Sequence, residues 1–153
     1  MNNSFTHLND AGEAKMVDIT NKEITNRSAT AKGFVRVSKE VIALIKENSL
    51  PKGDLFSTVR LAGIMAAKKT SELIPLCHPL AISGVEVTIE ISDDGISITA
   101  KVKSTDRTGV EMEALTAVSV AALTVIDMVK AVDKNTVIEN IVLLEKTGGK
   151  SDK

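Results

Sequence analysis

The chain has 153 residues, of which 43% are apolar, with 19 basic and 20 acidic side chains that leave a formal net charge of −1. This is the composition of one ordinary globular domain. The balanced charge and an aromatic content of 2% argue against a nucleic-acid binder, which needs a basic surface and rings for base stacking. No apolar run approaches the ~20 residues that span a bilayer, and the polar N-terminus is not a secretory signal. We therefore expect a cytoplasmic protein that binds neither nucleic acid nor membrane.

The first part of the chain changes from a polar segment to regular structure. Residues 1–31 show no sustained hydrophobic period and predict an N-terminal arm, disordered alone or laid across a partner surface. Residues 33–38 alternate and predict a strand, after which Ser38 can cap a short helix that ends near Glu47. A second helix is expected over about residues 54–72, and its apolar positions cover most of its circumference, so it should be largely buried.

A β-hairpin and a long helix follow. Residues 85–91 and 96–102 alternate on either side of an Asp-Asp-Gly turn, which predicts an antiparallel pair with one buried face. Thr108 and Glu111 have the spacing of a capping box, in which each side chain satisfies an amide at the start of a helix. That helix is expected to end near Val132.

The last segment completes the order of elements. Residues 136–146 predict a final strand, and residues 147–153 a flexible tail in which Gly148-Gly149 could act as a flap. The order strand, helix, helix, strand, strand, helix, strand is βαββαβ with one extra helix. It predicts an α+β protein, a ferredoxin-like sandwich with an antiparallel sheet that occupies residues 32–146.

Residues 114–126 contain no charged side chain. A helix that is apolar on all sides must be covered on all sides, and a two-layer sandwich of this size covers one face. The many small residues in this stretch also invite close approach by another helix. We expect a homo-oligomer to supply the cover; the alternative is that the extra helix and the arm supply it within one chain.

Cys77-His78 is the first group of residues that could carry chemistry, and Pro75 and Pro79 flank it. Adjacent residues in an extended segment point in opposite directions, which argues against a Cys–His nucleophilic pair. One cysteine and the two histidines His7 and His78 are too few for a typical zinc site, so we expect no metal site. The alternatives are a structural cysteine beside a surface histidine, or a histidine held for a hydrogen bond to a ligand.

Acidic residues stand at both ends of the long helix. Glu111 has a structural explanation as the capping acid, and Glu113 as a favourable charge at the positive end of the helix dipole, but together with Arg107 they also suit a polar ligand. Asp127 is the first charge after the uncharged stretch, so we expect it to be partly buried and paired with Lys130 at i+3. That pair is either a structural ion pair or an acid–base couple.

Five sequence strings, considered together, resemble one family, the cyclic pyranopterin monophosphate synthases of molybdenum-cofactor biosynthesis. In this chain they are GEAKMVD at 12–18, KGD at 52–54, IPLCHPL at 74–80, TGVEMEALT at 108–116 and KTGGKS at 146–151. Lys15 and Arg107 depart from the family pattern, because members often carry His or Arg at the first position and Lys at the second.

The resemblance implies a ferredoxin-like homohexamer, a trimer of dimers, that converts 3′,8-cyclo-7,8-dihydro-GTP to cyclic pyranopterin monophosphate and releases diphosphate. It implies a small-molecule substrate and no redox cofactor. It implies Asp127 as the catalytic residue, helped by the active-site lysines Lys52 and Lys130. The expected substrate-binding residues are Leu76, Cys77, His78, Glu111, Met112, Glu113 and Lys146, the last as a phosphate contact.

Two other classes of function remain open, a non-catalytic nucleotide-sensing oligomer and a purely structural subunit. Helix geometry adds a further expectation, since Glu113 and Asp127 lie 14 positions apart, or ~21 Å along one helix. If both serve one substrate, two copies must contribute to each site. We expect Glu113 and His78 from one chain and Asp127 and Lys130 from its neighbour.

Overall fold

The computed structural model describes residues 5–153. Its eight elements are, in chain order, β1 Thr25–Arg36, α1 Lys39–Lys46, α2 Leu55–Lys68, α3 Thr70–Leu73, β2 Ile82–Ile91, β3 Gly95–Asp106, α4 Glu111–Val129 and β4 Val137–Thr147. The strands form one antiparallel sheet in the order β2-β3-β1-β4, and α2 and α4 pack on it. The predicted ferredoxin-like α+β fold is confirmed, with α1 and the single-turn α3 as additions to it.

The β2–β3 hairpin is confirmed and is longer than predicted. Its register pairs Val87 with Ala100 and Ile89 with Ile98, and these four side chains are buried. The polar residues that alternate with them lie on the opposite face of the sheet, as the period of two requires. The core therefore lies between this face and the helices.

The predicted boundary of the N-terminal arm at residue 31 is wrong, because β1 begins at Thr25. Residues 25–31 pair with β3 along their whole length. Their inward positions include Ala29 and Ala31, which are fully buried but small, and Ser28 and Thr30 alternate with them. The segment therefore lacks the large apolar side chains that identify a strand in a sequence.

The helix starts were predicted with mixed success. The Ser38 hydroxyl accepts a hydrogen bond from the amide of Val41, and the Asp54 carboxylate accepts from two amides at the start of α2. The capping box at α4 is wrong, since the N-cap is Val110 and no side chain caps this helix. Helix α2 ends at Lys68 and α4 at Val129, each a few residues earlier than expected.

Small residues bring α4 close to its neighbours. A Cβ at Gly63 of α2 would lie 3.3 Å from the carbonyl oxygen of Ala117 and 3.5 Å from Cβ of Ala121, and a Cβ at Gly33 of β1 would lie 2.7 Å from Cγ1 of Val118. The close helix approach expected from the small residues therefore occurs with α2 of the same chain. Cover for α4 comes from both α2 and the sheet.

This cover is incomplete. Leu61 and Met65 on α2 and Leu123 on α4 are 57–59% exposed, so the expectation that α2 is buried around its circumference is wrong for the single chain. By length and composition α4 could cross a membrane, with a mean hydropathy of 1.7 over its most apolar window, but 56% of that window is buried. Core helices of globular proteins have the same composition.

The C-terminal tail turns back against the edge strand β4. The amide of Lys146 donates to the carbonyl of Lys153 and the amide of Lys153 to the carbonyl of Lys146, both at 2.9 Å. Gly148 makes the turn with φ of 94°, a conformation that favours glycine, and its carbonyl accepts a hydrogen bond from the Thr25 hydroxyl at 2.7 Å. The mobility expected of a flap stays a prediction.

The packing between β1 and α4 generates a stability prediction. Gly33→Ala should lower the free energy of unfolding by about 1–3 kcal/mol, because the added methyl group must displace Val118 or the strand. Gly84→Ala is the matched control, since it is also a strand glycine and its Cβ would meet no atom within 4 Å. Urea unfolding measures both variants, and equal midpoints for the two would contradict the close packing.

Candidate functional site

A cavity of about 400 Å³ lies at the N-terminal end of α4. Six of the seven residues that the sequence assigned to substrate binding line it, namely Leu76, Cys77, His78, Glu111, Met112 and Glu113. Its remaining wall comes from the loop before α4, from Leu80 and from the N-terminal segment, through Thr6, His7, Val17, Ile19, Lys22, Thr108 and Gly109. The turn after α3 and the start of α4 are thereby brought together.

Cys77 and His78 line the same cavity, so the expectation that they face opposite sides is wrong. The segment before them is a turn rather than an extended strand, closed by a hydrogen bond from the amide of Cys77 to the carbonyl of Ile74. Burial, with the negative charges of Glu113 and then Glu111, raises the pKa of the Cys77 thiol. A thiol that stays protonated is a poor nucleophile, which favours a binding role for this side chain.

His78 is held by the N-terminal segment. Its Nε2 lies 2.6 Å from the carbonyl oxygen of Val17, so Nε2 carries the proton and donates it. No partner for His78 was predicted from the sequence, because the contact joins residues 61 positions apart. The imidazole is fixed in orientation while its other nitrogen is left for a further contact.

Glu113 is the buried acid of the site, with 4% of its surface exposed. Burial raises the pKa of its carboxyl to about 7, the neighbouring charge of Glu111 adds to the effect, and a hydrogen bond to the backbone amide of Glu113 itself opposes it. The sequence offered a helix-dipole role or a contact to a polar ligand for this residue, and it did not predict its burial. In the structure it is a group that can hold or release a proton near neutral pH.

Glu111 pairs with Lys146 instead of capping α4. Nζ of Lys146 on β4 lies 3.1 Å from Oε1 of Glu111, and both side chains are less than one third exposed. Within residues 5–153, Oε2 of Glu111 and Nε of Arg107 are buried without a hydrogen-bond partner. Unsatisfied buried polar atoms are rare in folded proteins, and here both belong to the segment that begins α4 and borders the cavity.

Arg27 supports that segment and was not identified from the sequence. Its Nε donates to the carbonyl of Asp106 at 3.0 Å and its Nη2 to the carbonyl of Arg107 at 3.1 Å. Two bonds from one planar guanidinium fix the direction in which β3 ends. The loop that carries Thr108 and Gly109 to the cavity therefore starts from a fixed point.

The other predicted residues lie at the opposite end of α4. Oδ2 of Asp127 accepts from Nζ of Lys52 at 2.8 Å, and its Oδ1 lies 2.9 Å from Nζ of Lys130. The i+3 pair with Lys130 is confirmed. The expected partial burial of Asp127 is wrong for the single chain, because its side chain is 52% exposed.

Hydrogen bonds first from Lys52 and then from Lys130 lower the pKa of Asp127 to about 2. Asp127 is therefore a carboxylate at neutral pH, and it holds two ammonium groups within one small volume. The pair with Lys52 joins residues 75 positions apart, which local sequence patterns do not reveal. The cluster carries one more positive than negative charge and suits an anionic ligand.

Within one chain, the ten predicted site residues therefore lie in two separate groups. Seven belong to the N-terminal end of α4, with Lys146 attached through Glu111, and three to its C-terminal end. Glu113 and Asp127 are ~21 Å apart along the helix. The two groups do not meet around one small molecule within the chain.

A second cavity of about 410 Å³ contains none of the predicted residues. It lies between α2 and the start of β2, and Lys68 is the charged side chain in its lining. Among residues 5–153, no three His, Cys, Asp or Glu side chains are grouped to hold a metal ion. By contrast, Glu111, Glu113, both histidines and the single cysteine of the chain line the first cavity.

Glu113 generates a pH prediction. Its pKa rises from 4.5 to about 7 on folding, so between these values the folded chain binds the extra proton and stability falls as the pH increases. In Glu113→Gln this decrease in stability is absent. Above pH 7 the free energy of unfolding of the variant should therefore exceed that of the wild type by at most about 3 kcal/mol. Thermal unfolding from pH 4 to 8 measures the effect, and Glu86→Gln, at an exposed position of β2, is the control. Parallel curves for wild type and Glu113→Gln would contradict a buried, protonated Glu113.

Comparisons with known proteins agree on one family. The sequence model of the MoaC family matches residues 16–149. A relative from Streptomyces griseus named cyclic pyranopterin monophosphate synthase is 61% identical over 149 residues, which cover 97% of this chain and 84% of the relative. Relatives of the same name from a Nocardioides species and from Peptoclostridium acidaminophilum are 60% and 52% identical, and each alignment covers 96% of this chain and more than nine-tenths of the relative. Because both the family model and these relatives span nearly the whole sequence, the chain belongs to the MoaC family.

Proposed function

We propose that this chain is a cyclic pyranopterin monophosphate synthase of molybdenum-cofactor biosynthesis, which converts 3′,8-cyclo-7,8-dihydro-GTP to cyclic pyranopterin monophosphate and diphosphate. The observation that carries the proposal is 61% identity to a relative of that name over 97% of this chain. We further propose that it works in the cytoplasm as a homohexamer, a trimer of dimers, without a redox cofactor.

The cavity at the N-terminal end of α4 has the chemistry to bind and rearrange a purine-derived ring. Opening and reclosing such a ring requires repeated proton transfers, which are fastest when the acid or base has a pKa near the working pH. Glu113 has a pKa of about 7. His78, held by Val17, and Met112 complete a wall with one acid, one imidazole and one apolar surface against the ring.

The cluster at the other end of α4 has the chemistry to bind the triphosphate and assist its cleavage. Lys52 and Lys130 place two ammonium groups on Asp127, and ammonium groups stabilise the negative charge that develops as diphosphate leaves. Asp127, ionised at neutral pH, keeps both lysines in position and can accept a hydrogen bond from the substrate. Lys146 would add a phosphate contact when it leaves Glu111.

The separation of the two groups supports a site shared between chains. If the α4 helices of two copies pack antiparallel, the start of one helix lies beside the end of the other, and the ~21 Å separation within each chain disappears. Leu61, Met65 and Leu123, which are more than half exposed, offer apolar surface for contacts between copies. In this arrangement one chain supplies Glu113 and His78 and its neighbour Asp127, Lys52 and Lys130.

Asp127→Asn tests the proposed chemistry. Product formation should fall by at least about 100-fold, because the amide keeps the shape of the side chain but has no negative charge to hold the two ammonium groups that stabilise the leaving diphosphate. The assay incubates the protein with the cyclised GTP intermediate and detects the cyclic pterin phosphate by mass spectrometry. Asp93→Asn, in the exposed β2–β3 turn, is the matched control and should retain full activity.

The same assay separates the alternatives. Near-normal turnover by Asp127→Asn, with unchanged thermal unfolding and oligomer mass, would remove Asp127 from the mechanism. Specific binding of the cyclised nucleotide by the wild type without turnover would favour the nucleotide-sensing module, and no binding at all would favour a structural subunit.

Mixed oligomers test the shared site. Glu113→Gln and Asp127→Asn chains should each be inactive, and co-refolding them should restore activity, because some interfaces then contain one site with both residues intact. Light scattering gives the mass of the oligomers, and differently tagged chains verify that they have mixed. Mixed oligomers that stay as inactive as their parents would mean that each site is built within one chain.

A further inference from the structure

The N-terminal segment forms a strap across the cavity. Within residues 7–15 a small hairpin pairs Leu8 with Ala14, and the amide of Lys15 donates to the carbonyl of His7 at 2.8 Å. The side-chain oxygen of Asn9 accepts from the amides of Ala11 and Glu13, which closes the turn. We call residues 7–22 the strap.

Two attachments fix the strap beside the cavity. At its middle, the carbonyl of Val17 accepts the hydrogen bond of His78 at 2.6 Å. At its end, the amide of Lys22 donates to the carbonyl of Ile19 at 3.0 Å, and β1 begins three residues later at Thr25. The backbone of Lys22 is therefore held between two attached points, the hydrogen bond of Val17 to His78 and the start of β1.

Lys22 is the one lysine that lines this cavity in the described part of the chain. Apart from the two histidines, the other ionisable acids or bases in the lining are Glu111 and Glu113, both on α4. Glu111 pairs with Lys146, and no ion pair within 4 Å joins Lys22 to any of residues 5–153. Lys22 therefore lines the cavity with an exposed side chain whose ammonium group makes no ion pair with these residues, so it is available to a ligand.

We propose that Lys22 is a further substrate-binding residue, supplied by the strap, whose ammonium group binds an anionic oxygen of the nucleotide-derived ligand in this cavity. The chemical class of the ligand rests on the proposed function. Without Lys22 the described lining contains two acids, which disfavour negative charge, and no lysine or arginine. With Lys22 the lining has a cation on the strap in addition to the two acids on α4, so it can orient a molecule that has a donor-rich ring and an anionic group.

Kinetics of Lys22→Met test the proposal. The KM for the cyclised GTP intermediate should rise about 10-fold, as expected for loss of a charge-assisted hydrogen bond, while kcat changes by less than about 2-fold. Lys22→Arg should restore most of the affinity, because the positive charge returns. Lys39→Met, an exposed lysine at the start of α1, should match the wild type.

A binding measurement with GTP as the probe makes the test independent of turnover. Calorimetry should show GTP binding about 10-fold weaker to Lys22→Met and unchanged for Lys39→Met. Equal GTP affinity and equal KM in wild type and Lys22→Met would overturn the proposal, and turnover by the wild type would still support the proposed function. If the wild type binds GTP through Lys22 but makes no product, the proposed function fails and the role of Lys22 stands.

One other role for Lys22 gives a different result. If its ammonium group serves as the counter-ion of Glu113, Lys22→Met would raise the pH at which the Glu113 carboxyl titrates by NMR and leave GTP binding unchanged. That outcome would overturn a substrate-binding role. Lys22 is exposed, so the variants should fold, and thermal unfolding verifies this before each measurement.

Discussion

The close packing of α4 against α2 and the sheet is the constraint on which the rest of the structure depends. Gly63 lets the backbones of α2 and α4 approach beside Ala117 and Ala121, and Gly33 does the same for β1 beneath Val118. Because α2 is fixed in this way, the loop before it brings Lys52 to Asp127 at one end of α4. The chain after α2 brings Cys77 and His78 to the other end.

The two ends of α4 create opposite environments for acids. At the N-terminal end, burial keeps Glu113 protonated close to neutral pH, although the helix dipole there favours negative charge. At the C-terminal end the dipole disfavours Asp127, yet two lysines hold it fully ionised. Burial and direct hydrogen bonds therefore outweigh the dipole at both ends, and one helix presents one acid that can exchange a proton and one that stays charged.

Elements defined by local patterns could be predicted from the sequence, whereas those defined by distant partners could not. The β2–β3 hairpin and the caps at Ser38 and Asp54 follow from residues within a few positions of each other. The role of Glu111 does not, because its partner Lys146 lies 35 positions away and removes it from the capping box.

The site residues divide in the same way. The resemblance supplied their identities, and the Asp127–Lys130 pair followed from i+3 spacing. The burial of Glu113 and the bond between Val17 and His78 depend on how the chain folds over itself. A turn signal was present at Asn9 and Gly12 in the polar N-terminal segment and could have predicted the hairpin there, but it carries no information on which surface the hairpin covers.

The fold-back of the C-terminal tail has a consequence for colloidal behaviour. Strand β4 is an edge of the sheet, and exposed edges are templates for pairing with other chains. The backbone of Lys153 forms hydrogen bonds with both the amide and the carbonyl of Lys146, and the ammonium group of Lys153 donates to the carbonyl of Leu143. A foreign strand therefore finds these positions of the edge already hydrogen-bonded and meets a positive charge beside them, which protects the exposed Val142 and Leu144 from aggregation by sheet extension.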